Sequence, residues 1–242
     1  MIESIFDLVK NKYKSSKHPV YWEIYKKVFS DYDLSRHINI LEIGVDKGQG
    51  MLQLKELFPN CNVCGIDVRE DTPNSPVGNV WIGSQTNTEL LDAVDEEEGP
   101  FDIIIDDGSH HNEHQIKTFE YLFPKLKSGG IYIIEDVHTS YWEIYNGGYG
   151  KNSFINYCKK LTDLINYESW MRGFQSPVDY KWHSNKNDIE KYNSYNVSKE
   201  IYKNINCVSF FPNIIVIYKS NKKDEYQFGN TVFDISTFKG FY

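Results

Sequence analysis

Residues 41–50 read Leu41-Glu42-Ile43-Gly44-Val45-Asp46-Lys47-Gly48-Gln49-Gly50. Ile38-Asn39-Ile40 precedes them, and Met51, Leu52, Leu54 and Leu57 follow at helical spacing. An apolar run of strand length that breaks at glycine and resumes with a period near 3.6 predicts a strand, a tight turn and a helix, stopped at Pro59. A parallel α/β sheet is built from such units.

Working outward, Val63 to Val68 reads as a second strand, Asn79 to Ile82 as a third and Phe101 to Ile105 as a fourth, with a helix through Leu90, Leu91 and Val94 between the last two. A helix carrying Ile116, Phe119, Leu122 and Phe123 and the turn Lys127-Ser128-Gly129-Gly130 lead to a fifth strand, Ile131 to Ile134. A further helix carries Phe154, Cys158, Leu161 and Ile165. Only Pro212-Asn213 joins Cys207–Phe211 to Ile214–Tyr218, too short a link for a parallel crossover, so these strands form an antiparallel hairpin at a sheet edge. Two amphipathic helices open the chain, with Ile2, Ile5, Phe6 and Val9 on the first and Tyr21, Ile24, Tyr25, Val28 and Phe29 on the second. The expectation is an α/β fold, Rossmann-like and doubly wound, with a mostly parallel seven-stranded sheet, an antiparallel C-terminal hairpin and N-terminal helices. It is read as one domain over 1–242: a helical cap at 1–37, a cofactor-binding core at 38–136, a helix and acceptor loop at 137–205, the edge hairpin at 206–219 and a tail at 220–242. Trp170 to Tyr195 is polar, aromatic and aperiodic, as a functional loop is.

Composition narrows the function. A net charge of -8 over 242 residues, with no basic stripe, argues against nucleic acid as a partner. No stretch approaches the ~18 apolar residues of a membrane span, and the start of the chain lacks the basic and apolar runs of a signal peptide. Cys61 and Cys64 form a CxxC without a second pair, and Cys64 lies in a predicted buried strand, so the cysteines read as free thiols in a reducing compartment. A soluble cytoplasmic protein is expected.

The glycine spacing G-x-x-x-G-x-G matches neither the dinucleotide fingerprint nor the Walker loop, in which Ser or Thr follows Gly-Lys. Glu42, just before the turn, suits a cationic amine better than a pyrophosphate. Asp67, ending the second strand, can accept from two ribose hydroxyls. An adenosine cofactor without phosphates and with ammonium and sulfonium groups meets both demands, and S-adenosylmethionine is such a cofactor. Glu42, Gly44, Gly48 and Asp67 are assigned to it, with Gln85 beside them.

Leu41 to Gly50 and Gly65-Ile66-Asp67 resemble the first two motifs of class I S-adenosylmethionine-dependent methyltransferases. Asp106-Asp107-Gly108-Ser109-His110, Phe119 to Gly130 and Ile134-Glu135-Asp136-Val137-His138-Thr139-Ser140-Tyr141-Trp142 narrow the resemblance to the metal-dependent sugar O-methyltransferases of macrolide biosynthesis, of the mycinamicin and tylosin type. The similarity runs from about Tyr21 to Trp142 and resumes weakly in the hairpin. It is poor across Trp170 to Tyr195 and after Lys219.

Asp106 and Asp107 end the fourth strand, and Glu135 and Asp136 end its neighbour. Two unit charges ~4 Å apart at an effective dielectric of ~20 interact by ~4 kcal/mol, so four carboxylates on one edge call for a cation, protons or basic partners. His110, His111 and His138 are the nearby basic groups in sequence. All-oxygen ligation favours a hard ion, magnesium or manganese. The resemblance implies Asp107, Glu135 and Asp136 as metal ligands, Asp106 nearer the cofactor, and His110 as general base acting with Asp107; His138 is a second candidate near the metal. Tyr21, Tyr25, His138, Trp170, Arg172 and Trp182 are assigned to the acceptor. A sugar acceptor follows from the resemblance, with a nucleotide-linked sugar, polysaccharide precursor or glycoside all open, and a homo-oligomer is implied. The alternatives are a magnesium-dependent methyltransferase of a catechol or other vicinal diol, and a cofactor-binding partner without turnover.

Overall fold

The computed structural model describes residues 2–13, 17–166 and 197–221. Helices α1 (Ile2–Lys12) and α2 (Pro19–Val28) precede β1 (Asn39–Ile43), α3 (Gln49–Leu57), β2 (Asn62–Asp67), β3 (Val80–Ile82), α4 (Thr88–Glu98), β4 (Ile103–Asp106), α5 (Asn112–Leu122) and β5 (Ile131–Ile134). Two short 3-10 turns, Val137–Tyr141 and Glu143–Tyr145, lead to α6 (Phe154–Ile165). After a short helix α7 (Lys199–Tyr202), β6 (Ile205–Phe211) and β7 (Ile214–Lys219) close the fold. The sheet order is β3-β2-β1-β4-β5-β7-β6. All strands from β3 to β5 pair in parallel, and β7 runs against both β5 and β6.

The expected doubly wound sheet with its C-terminal hairpin is therefore present. The hairpin strands extend one or two residues beyond the sequence reading, and β3 and β4 begin one and two residues later than expected.

The period-two alternation of the buried strands sorts the core into two layers. Leu41, Ile104, Tyr132 and Ile134 face Leu91 and Val94 of α4, Phe119 and Leu122 of α5 and Leu161 of α6. Ile40, Ile103, Ile105, Ile131 and Ile133 face Phe6, Trp22, Ile24 and Tyr25 of the N-terminal helices and Met51 and Leu54 of α3. Strand order reverses between the parallel neighbours β1 and β4, from which successive strands are added outward in opposite senses, so their carboxyl ends form the crevice where α/β sheets bind ligands. No helix among the described residues is long and apolar enough to cross a membrane.

Two loops meet at that crevice. The Asp107 amide donates to Ile43 O at 2.8 Å, and Gly44 has φ +91°. A Cβ on Gly44 would lie 2.0 Å from the Asp107 carbonyl oxygen, whereas one on Gly48 (φ +76°) would meet nothing within 4 Å. Both positions carry the left-handed backbone penalty of ~1–2 kcal/mol for a non-glycine residue. Gly44→Ala adds an overpacking cost of ~1–3 kcal/mol. Urea denaturation is thus expected to show Gly44→Ala losing clearly more stability than Gly48→Ala; equal losses would contradict the close approach of the two loops.

Candidate active site

The same alternation decides where each acid points. Glu42 follows Ile40 by two residues, Asp107 follows Ile105 and Glu135 follows Ile133, so all three share the face covered by α1, α2 and α3. Asp106, out of step with Asp107, turns to the α4 and α5 side. There it is fully buried, accepts from Gln85 Nε2 at 3.2 Å and from the Gly108 amide at 3.3 Å, and burial pushes its carboxyl up to about 7.

On the α2 face a cation meets the acids. Lys17 Nζ donates to Asp107 Oδ2 at 2.9 Å and Glu135 Oε1 at 2.7 Å, and lies 3.9 Å from Glu42 Oε1. Its burial opposes the charge, but Asp107, Glu135, Tyr25 and Glu42 more than offset this and hold its proton affinity well above the ordinary lysine value. Two tyrosine hydroxyls complete the set: Tyr25 donates to Glu135 Oε1 and Tyr21 to Asp136 Oδ1. One ammonium does not neutralise every acid here. Burial pushes Glu135 up to about 7, with Asp107 adding to it and Lys17 opposing. Glu42, 1% exposed, is pushed by burial to about 8. Its carboxylate occupies the space that a side chain at Gly50 would take, since a Cβ there would fall 1.9 Å from Glu42 Oε1.

At the mouth of the crevice Asp107, His110 and Asp136 each offer a ligand atom within 4.8 Å of the others. His110 (φ 58°) and Asp136 (φ 53°) adopt left-handed backbone, which turns both side chains back over the strand ends. His110 Nε2 stands 3.9 Å from Asp107 and 3.7 Å from Asp136. His138 Nδ1 lies 3.9 Å from Asp136, its ring against Trp142. These donors, hard oxygens with one imidazole, suit a divalent ion.

Several expected residues make contacts that their assigned roles did not anticipate. Glu135 is outside the three-residue cluster and is held by Lys17 and Tyr25. Glu42 does not line an open turn but is enclosed beside Lys17. Tyr21 and Tyr25, expected as acceptor wall, are buried with their hydroxyls on Asp136 and Glu135. Gln85 acts as a tie: it donates to Asp106 and accepts from the Ser109 amide at 2.7 Å, joining β4 to the loop that carries His110. Asp67 accepts from the amides of Val45, Asp46 and Arg69 at 2.8–3.0 Å, which fixes the glycine turn against β2. Trp170, Arg172 and Trp182 lie outside the described residues.

Two features escaped the sequence reading. Lys17 lies 90 and 118 residues from its acidic partners, beyond any motif spacing. A cavity of about 290 Å³, lined by Val137, His138, Tyr141, Ile155, Phe210 and Phe211 among others, opens beyond Asp136 on the hairpin side, where the Val137 amide donates to Asn213 O at 3.0 Å. Exposed aromatic residues gather nearby, including Tyr141, Trp142 and Phe210; the signal for them was the aromatic content itself.

A doubly wound sheet whose strands end in a glycine turn on one side of the switch point and in paired acids on the other presents both to the crevice where such sheets bind ligands. Comparison with known proteins narrows this. No family model matches the chain. The L-olivosyl-oleandolide 3-O-methyltransferase of Streptomyces antibioticus is 38% identical over 144 residues, covering 54% of this chain and 37% of the relative. The mycinamicin VI 2''-O-methyltransferase of Micromonospora griseorubida is 39% identical over 159 residues, covering 60% and 39%. Among solved structures, MycE methyltransferase from the mycinamycin biosynthetic pathway, in complex with Mg, SAH and mycinamycin VI, superposes with a TM-score of 0.73 at 24% identity, over 93% of this chain and 57% of that one. A second crystal form of MycE with Mg and SAH gives 0.70 at 26% identity, over 90% and 54%. The resemblance to macrolide-sugar O-methyltransferases is thus borne out, and the matched stretch spans about two fifths of the curated relatives' length.

The raised affinity of Glu42 for its proton gives stability a definite pH dependence. Between the ordinary value of 4.5 and the folded value of about 8, the folded state binds the proton more tightly than the unfolded one. Stability therefore falls as pH rises through that window, each tenfold in proton affinity counting ~1.4 kcal/mol. Glu42→Gln lacks this titration. Urea melts in chelator are expected to show the variant gaining on the unmodified protein from pH 5 to pH 8; parallel curves would mean that Lys17 keeps Glu42 charged throughout.

Proposed function

We propose that this chain is an S-adenosylmethionine-dependent, divalent-metal-dependent O-methyltransferase acting on a sugar hydroxyl. The observation that carries this reading is the juxtaposition, at one switch point, of the Gly44–Gly50 turn and Asp67 with the Asp107, His110 and Asp136 cluster. The curated relatives, each named as a methyltransferase of a sugar-bearing natural product, support it.

In this reading the glycine turn, with Gly48 open to approach, binds the cofactor together with Asp67; Gln85 and Asp106 shape the pocket floor. Asp107 and Asp136 would hold the divalent ion, with Glu135 assigned to the same set. When bound, S-adenosylmethionine supplies a methyl group on a sulfonium, and the ion lowers the proton affinity of the acceptor hydroxyl. His110 is the general base. Its Nε2 faces the two aspartates within 4 Å, where it would take the proton of the acceptor hydroxyl while the methyl group passes from the sulfonium to that oxygen, leaving S-adenosylhomocysteine. The cavity beside His138, on the far side of the cluster from the glycine turn, is suited to the acceptor. Trp170, Arg172 and Trp182 are proposed to bind the acceptor as well. A homo-oligomer and a cytoplasmic location belong to the same reading, the first from the resemblance and the second from four free cysteines, three of them buried.

The test uses S-adenosylmethionine labelled on its methyl group, a panel of glycosides and nucleotide sugars, and magnesium. Label is expected in a sugar product, lost in excess chelator and restored by the metal. His110→Ala is expected to lower kcat by ~10²-fold or more while calorimetry shows unchanged affinity for S-adenosylhomocysteine. Full turnover in chelator, or binding of NAD in preference to S-adenosylhomocysteine, would falsify the proposal.

A further inference from the structure

The metal centre has two ligand sets on paper. The sequence resemblance implies Asp107, Glu135 and Asp136, whereas the geometry gathers Asp107, His110 and Asp136. Lys17 accounts for the difference. Its ammonium, on a side chain 9% exposed, holds Glu135 at 2.7 Å and Asp107 at 2.9 Å. Glu135 is thereby kept out of the cluster, although its other oxygen, Oε2, is buried with no hydrogen-bond partner.

We propose that Lys17 is the resident counter-cation of this edge and that the divalent ion binds by exchange with it. The inference rests on the metal-dependent reading above. An ion that takes Asp107 draws on the same carboxylate that Lys17 holds, and two positive centres on one carboxylate repel each other. One ammonium brings a single positive charge to the edge shared by Glu42, Asp107 and Glu135, whereas a divalent ion brings two. After the exchange Glu135 is free to enter the ligand set, and His110 is released from it to act as base. Glu42, 3.9 Å from Nζ in the present arrangement, remains as the partner of Lys17. In the absence of metal, Lys17 is a positioning residue: it keeps Asp107 and Glu135 from splaying apart under their own repulsion.

Two measurements test this without turnover. In calorimetric titrations with Mn²⁺, Lys17→Met is expected to bind about tenfold or more tightly than the unmodified protein, because the competitor has gone, and Lys17→Arg is expected to retain the weaker affinity. Equal or weaker Mn²⁺ affinity in Lys17→Met overturns the exchange. Should Lys17→Met fail to fold, acetylation of the unmodified protein decides the matter. Mass spectrometry is expected to find Lys17 protected in chelator and modified severalfold faster at saturating Mn²⁺; unchanged protection overturns the proposal. Mn²⁺ binding that is equal in both proteins removes the exchange alone, whereas no Mn²⁺ binding by either protein removes the metal-dependent reading with it.

Discussion

The structure depends on how negative charge is compensated at one edge of a parallel sheet. Strand periodicity delivers Glu42, Asp107 and Glu135 to the same face, two of them almost wholly buried. Ionised carboxylates at ~4 Å repel by ~4 kcal/mol at an effective dielectric of ~20, so the arrangement stands only with a cation, shared protons or both. The protein uses both. Lys17 bridges Asp107 and Glu135, the Tyr25 hydroxyl donates to Glu135, and burial raises the proton affinity of Glu42 and Glu135. Removing one partner from such a buried network leaves uncompensated charge, which costs far more than the intact pair contributes.

This requirement explains the N-terminal helices. They cover the α3 face of the sheet with Phe6, Trp22, Ile24 and Tyr25, and the link between them presents Lys17 to the acids while α2 presents Tyr21 and Tyr25. The apolar layer and the polar edge thus use the same elements. On the opposite face Gln85, fixed by Thr118 and the Ser109 amide, holds Asp106 and the loop bearing His110. Both faces converge on the β1/β4 crevice, where the glycine turn, the acidic cluster and the hairpin-side cavity lie side by side along the edge, and the proposed function gives them to cofactor, ion and acceptor.

Much of this was legible in the sequence. The apolar run ending at Gly44, the acid at the end of β2 and the two acidic pairs ending β4 and β5 identify the sheet, the adjacency of β4 and β5 and the acids gathered at their ends. The two-residue link Pro212-Asn213 identifies the antiparallel hairpin. Period two even determines which acids share a face, because Ile40, Ile105 and Ile133 precede Glu42, Asp107 and Glu135 by two. What spacing does not encode is a contact across the fold. Lys17 reads as part of a polar break between helices, and its pairing with Asp107 and Glu135 arises only when α2 packs on the sheet. The same holds for Tyr21 and Tyr25, whose helical spacing shows an inward face but not that their hydroxyls end on carboxylates. The cavity beside His138 combines residues from a 3-10 turn, α6 and the hairpin, three segments without a shared motif.

The central claim is that the acidic edge is a divalent-metal centre facing a methyl donor. A crystal of the chain grown with Mn²⁺ and S-adenosylhomocysteine, measured at the manganese absorption edge, tests it most directly. The account predicts an anomalous peak within bonding distance of the Asp107 and Asp136 carboxylates, with the cofactor's thioether facing it from the Gly44 side. A peak elsewhere, or a cofactor that does not share the crevice with the metal, would contradict it.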